Sequence, residues 1–315
     1  MIGETIAKNL IEKYNPKSVL FCPYKEEMWD SMQTIYEAFK KTDIRTEIMP
    51  IAYYTLYNMS IFNINIEFPE YASNFPMLIK RDKERVPYSL WDIIIFHYPY
   101  DNLNTLTRPV LMSNELKAFC NNLVLVHYAC RGENQISEED CLYTGVRNSD
   151  LFIVETEEQA KVANKCLRPF RTEAVAWGSA KFDLIEQADI PEEWKKKAEG
   201  RRVVFYQTSI IPYMRNVNKL SQVQNIICKY FENDKVCMIW RPHPLYKQTI
   251  MDHGRNELRA YLTLVEMVKN SPKDIFDDTK TPETAIKFAD EMVSDRSSLV
   301  TMWKTTGKKL TLLEN

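Results

Sequence analysis

A guanidinium group and an imidazole stand close together in the last third of the chain. Arg241 and His243 alternate with two prolines, directly after the apolar run 236–240. An arginine fork can bind two phosphate oxygens at once, and histidine can donate to a phosphate oxygen or move a proton near neutral pH. The apolar run is typical of a buried strand, and ligands of open α/β sheets bind at the carboxyl ends of the strands. The pattern predicts a phosphate site, with a surface turn that ends the strand as the alternative.

A second polar segment lies further along the chain. Asp295, Ser297 and Ser298 follow the strand-like segment 289–293, in the composition of a helix start. Hydroxyls and free backbone N–H groups at a helix start bind anions, helped by the helix dipole. Ser and Asp are also preferred N-cap residues where no ligand binds. Together the two segments favour a pocket for a phosphorylated ligand, with simple helix capping as the alternative for the second.

Two further candidates lie in the first half of the chain. His127 ends the apolar run 123–126, which makes it a candidate general base at the carboxyl end of a strand, although a histidine there is more often structural. Lys25 lies where a predicted strand meets a predicted helix. Its ammonium group could bind a phosphate of a second substrate, and a solvated surface lysine is the alternative interpretation.

Apolar runs alternate with amphipathic segments, and this order predicts an α/β fold with parallel sheets and right-handed crossovers. The pattern starts again near residue 175. We therefore expect two α/β domains, 1–174 and 175–315, with the ligand groups concentrated in the second. The predicted strands are 18–22, 45–51, 93–97, 123–127, 151–154, 203–207, 236–240, 291–294 and 310–313.

Composition limits the class of protein. Hydrophobic residues make up 45% and charged residues 27% of the 315, as in ordinary globular proteins, and a net charge of −2 gives no indication of nucleic-acid binding. The seven cysteines lack paired CxxC spacing, and the first residues do not form a secretory signal, so we expect reduced thiols in a cytoplasmic protein. No apolar run approaches the roughly 20 residues that span a bilayer. The chain has no Gly-x-Gly-x-x-Gly fingerprint and no cluster of acidic residues typical of a magnesium site, so we expect neither a cofactor nor a metal.

Short motifs follow one another over nearly the whole chain: 19–31, 50–54, 92–97, 178–183, 241–245, 277–279, 294–298 and 306–308. Their order resembles the CDP-glycerol glycerophosphotransferases that build teichoic-acid-like polymers. The resemblance implies a GT-B-like fold, with two Rossmann-like parallel-sheet domains facing a cleft. GT-B chains usually end with a helix that crosses back to the first domain, whereas this sequence stops just after a predicted strand. We therefore expect the crossover helix to be missing or the chain to be abbreviated.

The resemblance also implies roles for particular residues. The polar side chains of 241–243 and 295–298 would hold the nucleotide diphosphate. Thr208 is a donor-binding candidate because the segment around it resembles an Ala-Pro-Thr segment of the family, with Gln207 in place of the proline; a strand-end turn is the alternative. His97 lies in a His-x-Pro-Tyr segment similar to one in the family, which makes it a candidate to line the cleft or a structural residue.

The sequence departs from the family at His127. Polymerising members have a Trp-His-Gly-Thr-Pro segment in this region that supplies a catalytic histidine, and the chain lacks it. Other members have Ile-Pro-Tyr, and in that register His127 replaces the proline. A general base for the acceptor hydroxyl and a structural histidine both stay open.

The leading hypothesis is a transferase that moves glycerol phosphate, or a related polyol phosphate, from a CDP-linked donor to a hydroxyl of a glycan or lipid-linked acceptor and releases CMP. Catalysis would come mainly from positioning and from neutralising phosphoryl charge. A GT-B glycosyltransferase using a nucleotide sugar, and a non-catalytic nucleotide-binding scaffold, are the alternatives. The lysines at 195–197 are typical of a solvated helix face, with a weak contact to the inner face of a membrane as the second interpretation.

Overall fold

The computed structural model describes residues 1–57, 60–68, 70, 90–103, 111–131, 136–210, 220–253, 255–279, 281–295 and 297–313. They form two compact units, unit 1 over 1–184 and unit 2 over 185–315. Each unit has its own parallel sheet with helices between successive strands, so the predicted α/β fold with two parallel-sheet domains is confirmed.

Unit 1 contains a six-stranded parallel sheet and a small antiparallel hairpin. The sheet has the order β2-β1-β5-β6-β7-β8, and β3 pairs with β4. The strands are β1 Ser18–Cys22, β2 Arg45–Ile48, β3 Tyr53–Tyr57, β4 Ser60–Asn65, β5 Trp91–Phe96, β6 Cys120–Val126, β7 Leu151–Val154 and β8 Glu173–Ala176. The helices are α1 Ile2–Tyr14, α2 Gln33–Lys40, α3 Ser113–Ala118, α4 Glu138–Cys141, α5 Thr144–Asn148, α6 Glu157–Leu167 and α7 Lys181–Gln187, with short 3₁₀ helices at Glu26–Ser31, Asp101–Leu103 and Arg168–Phe170.

Unit 2 contains a five-stranded parallel sheet of order β11-β10-β9-β12-β13. Its central strand, β9, lies where the strand order reverses, which is the usual ligand position in doubly wound sheets. The strands are β9 Arg202–Thr208, β10 Val236–Pro242, β11 Ile275–Phe276, β12 Glu291–Ser294 and β13 Lys309–Leu312. The helices are α8 Glu192–Ala198, α9 Leu220–Phe231, α10 Tyr246–His253, α11 Arg255–Lys269, α12 Glu283–Phe288 and α13 Ser298–Lys304.

The expected boundary at 174/175 is wrong by ten residues. It falls inside β8, which pairs in parallel with β7 from Leu151↔Glu173 to Val154↔Ala176 and so belongs to the sheet of unit 1. The segment after β8 is also tied to this unit, because the Asp183 carboxylate accepts from the backbone N–H groups of Ile2 and Gly3 at 2.7 Å each. Those bonds satisfy two of the free donors at the start of α1.

No helix within the described ranges has the length and apolar composition that a membrane crossing requires. The seven cysteines all fall within these ranges, and each is a free thiol.

Candidate functional site

Polar side chains from three neighbouring strands meet at the carboxyl edge of the unit 2 sheet. Thr208, the last residue of β9, lies opposite Pro242 of β10, and Gln207 lies opposite both Arg241 and Ser294. Because all three strands run in parallel, the residues that follow them lie side by side. The two polar segments that the sequence singled out are therefore brought together at the point where the strand order reverses.

Arg241 is buried and forms an ion pair with a buried carboxylate. Its Nη1 donates to Asp277 Oδ2 at 2.9 Å and to Thr279 Oγ1 at 3.0 Å, and its Nη2 donates to the Thr279 carbonyl at 2.9 Å. These bonds use three of the five N–H groups of a guanidinium. Asp277 is only 2% exposed, and the turn after β11 places it against Arg241. Arg241 therefore closes this turn and has fewer donors left for a ligand than the sequence indicates.

His243 presents a defined tautomer at the same edge. Its backbone N–H donates to the Thr208 carbonyl at 2.9 Å, and the Leu245 N–H donates to its Nδ1 at 3.1 Å. A backbone amide can only donate, so Nδ1 accepts and the neutral ring carries its proton on Nε2. The ring is partly exposed and lines a cavity at the end of β10. His243 is thus placed as a hydrogen-bond donor.

The end of β9 supplies two buried polar side chains. Thr208 is fully buried, and within the described part of the chain its hydroxyl makes no hydrogen bond. Gln207 was not among the predicted site residues, yet its Oε1 accepts from Ser294 Oγ at 2.6 Å and from Ser297 Oγ at 3.0 Å. The proline expected here from the resemblance has no side-chain acceptor, so this departure from the family pattern was the signal for a polar link between β9 and the loop after β12.

The segment after β12 is held by that link and by Asp295. The carboxylate of Asp295 is buried and accepts from the Ser209 N–H at 3.1 Å, which joins the loops after β9 and β12. Ser297 is the N-cap residue of α13, but its side chain does not cap the helix and donates to Gln207 instead. Ser298 is the first residue of α13 and is exposed. Simple helix capping therefore does not account for the Ser297 hydroxyl.

A cavity of about 480 Å³ adjoins this edge. It is lined by the turn 241–244, by Lys247 of α10, by one face of α11 and by residues 276–279. Basic, acidic and aromatic side chains all contribute to its walls. The cavity is large enough for a nucleotide-sized ligand, since small-molecule pockets usually measure about 300–1,000 Å³.

In unit 1, His97 is fully buried, and both of its ring nitrogens contact the segment that follows β1. The Tyr24 N–H donates to its Nε2 at 2.8 Å, so the proton of the neutral ring lies on Nδ1, which is 3.0 Å from the Met28 carbonyl. Ser31 Oγ lies 3.1 Å from the same Nδ1. Both ring nitrogens therefore hold the segment after β1 against the end of β5, and these contacts favour the structural interpretation of His97 over a ligand-lining role.

Other motif residues of unit 1 also make structural contacts. Lys25 is partly exposed, with its Nζ 4.9 Å from the centre of the Tyr53 ring, a cation–π distance. Asp30 and Lys181 form an ion pair at 2.7 Å that is almost closed to solvent. The segments 19–31 and 178–183 are therefore connected through their charged residues, and only Lys25 keeps a partly exposed ammonium group.

His127 lies directly after β6 in an aromatic environment. The Ala129 N–H donates to its Nδ1 at 3.0 Å, and its ring stacks on Tyr128 with centroids 5.3 Å apart. Burial, followed by the nearby Arg131 cation, lowers the pKa of His127 to about 4. The Ala129 carbonyl lies 3.1 Å from the same Nδ1, so the Ala129 backbone engages this nitrogen in either tautomer, and the ring is neutral near pH 7. A pKa near 4 is unfavourable to the general-base role expected from the sequence, because a base needs sufficient basicity at the pH of the reaction.

His127 lines a second cavity, of about 20 Å³, which lies wholly within unit 1 and has room for about one water molecule. Arg131, Glu155 and Gln159 share its wall. Arg131 forms two bonds of 2.7 Å to the Asp140 carboxylate, a planar fork-to-carboxylate pair. The cavity thus combines hydrogen-bond donors and acceptors beside the His127 ring.

Two further sequence features have a structural explanation. Lys308, in the Thr-Gly-Lys motif, donates from Nζ to the Lys287 and Ala289 carbonyls at 2.7 Å each, which closes the end of α12, and burial lowers its pKa. In the lysine-rich α8, Lys195 pairs with Glu192 at 2.5 Å, and Lys197 donates to the Asp274 carbonyl at 3.0 Å. In the described ranges, His, Cys, Asp and Glu side chains do not gather in groups of three or more that could hold a metal ion.

Comparison with known proteins shows the fold. No family model matches the chain, and no curated protein matches it significantly. Solved structures do match: a UDP-GlcNAc 2-epimerase from Neisseria meningitidis bound to UDP-GlcNAc has a TM-score of 0.57 and 10% identity, covering 95% of this chain and 83% of that one. The enzyme of the same name from Methanocaldococcus jannaschii gives 0.55 and 12%, covering 94% and 83%. The wall teichoic acid polymerase TagF gives 0.54 and 12%, covering 98% and 73%. The chain therefore has an α/β fold with two Rossmann-like domains, as in these structures.

Proposed function

We propose that the protein is a GT-B-type transferase that takes glycerol phosphate, or a related polyol phosphate, from a CDP-linked donor and passes it to a hydroxyl of a glycan or lipid-linked acceptor. The observation that carries the proposal is the meeting of hydrogen-bond donors from β9, β10 and the loop after β12 at one edge of the unit 2 sheet. Such an edge, next to a cavity of nucleotide size, fits a diphosphate ligand.

In this proposal the diphosphate oxygens accept hydrogen bonds from side chains at this edge. These are the Nε2–H of His243, the hydroxyl of Ser298, the buried hydroxyl of Thr208, the remaining N–H groups of Arg241, and the hydroxyl of Ser297 once it turns from Gln207 to the ligand. Asp295 is a carboxylate and repels phosphate, so we assign it to holding the loops after β9 and β12 through Ser209.

The reaction is a displacement at phosphorus. The acceptor oxygen forms a bond to the phosphorus of the glycerol phosphate, the bond from that phosphorus to the oxygen of CMP breaks, and the proton of the acceptor hydroxyl leaves to water. Donors placed at the phosphoryl oxygens before the reaction stabilise the charge that develops there without reorganising. The enzyme's contribution is therefore mainly positioning and neutralisation of charge.

His127 has an acceptor-side role in the proposal, but not as the proton acceptor. Its Nδ1 is engaged by the Ala129 backbone, and its Nε2 lies 3.5 Å from the Tyr100 hydroxyl. We assign the His127 ring to orienting the acceptor hydroxyl. Substituting alanine and glutamine for His127 separates the catalytic hypothesis from the structural one.

The structural neighbours support both a CDP-linked polyol and a nucleotide sugar as the ligand. A structure of TagF soaked with CDPG has a TM-score of 0.52 and 12% identity, which favours the first. The Neisseria meningitidis epimerase bound to UDP-GlcNAc, at 0.57, favours the second. A nucleotide-sugar enzyme is therefore the second candidate function, and a non-catalytic nucleotide-binding scaffold is the third because the Trp-His-Gly segment is missing.

A panel of nucleotides tests the proposal. We expect CDP-glycerol and CDP-ribitol to raise the melting temperature more than UDP-glucose, because a ligand that binds only the native state stabilises it by RT ln(1 + [L]/Kd), about 2.7 kcal/mol at 100 times Kd. CMP release with a polyol or glycan acceptor then measures turnover. Equal or stronger stabilisation by UDP-glucose selects the nucleotide-sugar enzyme, and tight binding without turnover selects the scaffold.

Removing single donors tests the site itself. We expect His243→Ala and Ser298→Ala each to weaken CDP-glycerol binding about 10- to 100-fold, since a hydrogen bond to a charged group contributes about 1.5–3 kcal/mol. Both side chains are at least partly exposed, so the melting temperature without ligand should change little. Asn225→Ala, at an exposed residue in the middle of α9 that does not line the cavity, is the control. Wild-type affinity in both variants would remove these residues from the site.

A further inference from the structure

One face of α11 forms a wall of the larger cavity. Tyr261, Leu262, Val265, Glu266 and Lys269 line it, and their spacing places them along one side of the helix. Tyr261 and Val265 are buried and form the floor, whereas the other three are exposed and form the rim. The cavity is therefore a groove with a largely apolar floor and a rim of one apolar and two charged side chains, and Arg241 and His243 also line it.

Most of the formal charges in the groove cancel one another. Arg241 pairs with Asp277 at 2.9 Å, and Lys269 pairs with Asp278 at 3.2 Å. The Lys269 ammonium also lies 4.9 Å from the centre of the Phe276 ring. These four charged groups are engaged with each other and with an aromatic ring, so they do not determine which ligand the groove selects.

Two charged side chains of the groove remain, and they belong to different helices. Within the described residues, neither Lys247 of α10 nor Glu266 of α11 makes an ion pair or a side-chain hydrogen bond. Lys247 follows His243 by four residues, and its ammonium suits a phosphate. Glu266 repels phosphate and accepts hydrogen bonds only, so it suits an uncharged group that donates.

The apolar surface of the groove fits a flat ring but cannot distinguish one base from another. Phe276, Leu262 and Val265 offer this surface, and stacking tolerates any base because every base has a π-face. Discrimination must come from a polar group. Cytosine presents an amino donor at the position where uracil-type bases present a carbonyl acceptor.

We propose that Glu266 selects the base of the donor nucleotide by accepting a hydrogen bond from the exocyclic amino group of cytosine. The inference rests on the proposed function, because it assumes a nucleotide diphosphate at the neighbouring edge. It adds a specificity-determining residue on α11 and assigns the choice of cytidine over uridine to one carboxylate.

The test compares CDP and UDP by isothermal titration calorimetry, since the two share the ribose and the diphosphate and differ only in the base. We expect wild type to prefer CDP, and Glu266→Gln to reduce the ratio of the two dissociation constants about tenfold, because the charge-assisted bond is lost. Glu266→Lys replaces an acceptor by a donor and should reverse the preference. Glu232→Gln, an exposed glutamate at the end of α9 outside the groove, is the charge-matched control and should leave the ratio unchanged.

The outcomes separate this inference from the proposed function. A wild type that prefers CDP while Glu266→Gln keeps the same ratio overturns the role of Glu266 and leaves the donor site standing. An equal loss for CDP and UDP also overturns it, since it places Glu266 at the ribose. A wild type that binds neither nucleotide overturns the proposed donor site, and a preference for UDP overturns the choice of cytidine.

Discussion

Replacing Asp277 with alanine should lower the free energy of unfolding by about 3–5 kcal/mol, because it leaves the Arg241 guanidinium buried without its carboxylate. The pair is almost closed to solvent, with side-chain exposures of 7% for Arg241 and 0% for Asp277. Water cannot reach a guanidinium in such a position to solvate it, and arginine does not lose its proton to become neutral. Urea denaturation followed by tryptophan fluorescence, to which the buried Trp240 contributes, measures the change.

The neighbouring carboxylate gives a matched control. Asp278 is 68% exposed and pairs with the exposed Lys269, so Asp278→Ala should cost under about 1 kcal/mol. A double variant, Arg241→Met with Asp277→Leu, should recover most of the loss, since replacing both partners leaves no buried charge. Equal effects of Asp277→Ala and Asp278→Ala on the free energy of unfolding would show that the ion pair between Arg241 and Asp277 does not stabilise unit 2.

The strands could be predicted because their sequences carry a strong local signal. Ile93, Ile94 and Ile95 of β5, and the whole of β7, are buried on both faces of the sheet. A strand covered on both sides gives a continuous apolar run, which is visible in the sequence alone. The boundary between the units could not be predicted in this way. It depends on the pairing of β8 and on the hydrogen bonds that Asp183 of α7 accepts from the start of α1, a contact between residues 181 positions apart in the sequence.

For the candidate site, the sequence predicted which segments meet but not the partners of their side chains. Parallel strands collect their carboxyl ends at one edge, so polar residues after β9, β10 and β12 had to lie close together. The partners of those residues were not predictable, because they come from elsewhere in the chain. Arg241 donates to Asp277, Ser297 donates to Gln207, and the Leu245 N–H donates to Nδ1 of His243 and so fixes its tautomer.

The second large effect concerns turnover. If the proposed function holds, His127→Ala should lower the rate of CMP release with acceptor about 10²–10³-fold, the usual loss when one preorganised donor is removed from a reacting group. The dissociation constant of CDP-glycerol should stay within about threefold, since His127 belongs to unit 1 and the donor groups belong to unit 2. Single-turnover CMP release and calorimetric binding of CDP-glycerol, made on wild type and variant, separate the two quantities.

A second substitution distinguishes a donor from a base. The side-chain amide of glutamine can replace an Nε2–H donor but cannot accept a proton, so His127→Gln should retain more activity than His127→Ala if the ring only donates. A base would lose as much activity with glutamine as with alanine. Both variants should be checked for an unchanged melting temperature, because the ring also stacks on Tyr128.

The pH dependence gives an independent measurement. Burial lowers the pKa of His127 to about 4, so the ring stays neutral from pH 5.5 upwards. Its titration should therefore cause no change of the rate with pH between pH 5.5 and 8. A base with a pKa near 6.5 would instead lose activity as the pH falls below that value. A rate limb near pH 6.5 that disappears in His127→Gln would therefore restore the general-base role, and unchanged CMP release in His127→Ala would make the residue structural. In that second case the proton acceptor is another group, and His97 is a poor substitute because both of its ring nitrogens already hold the segment after β1.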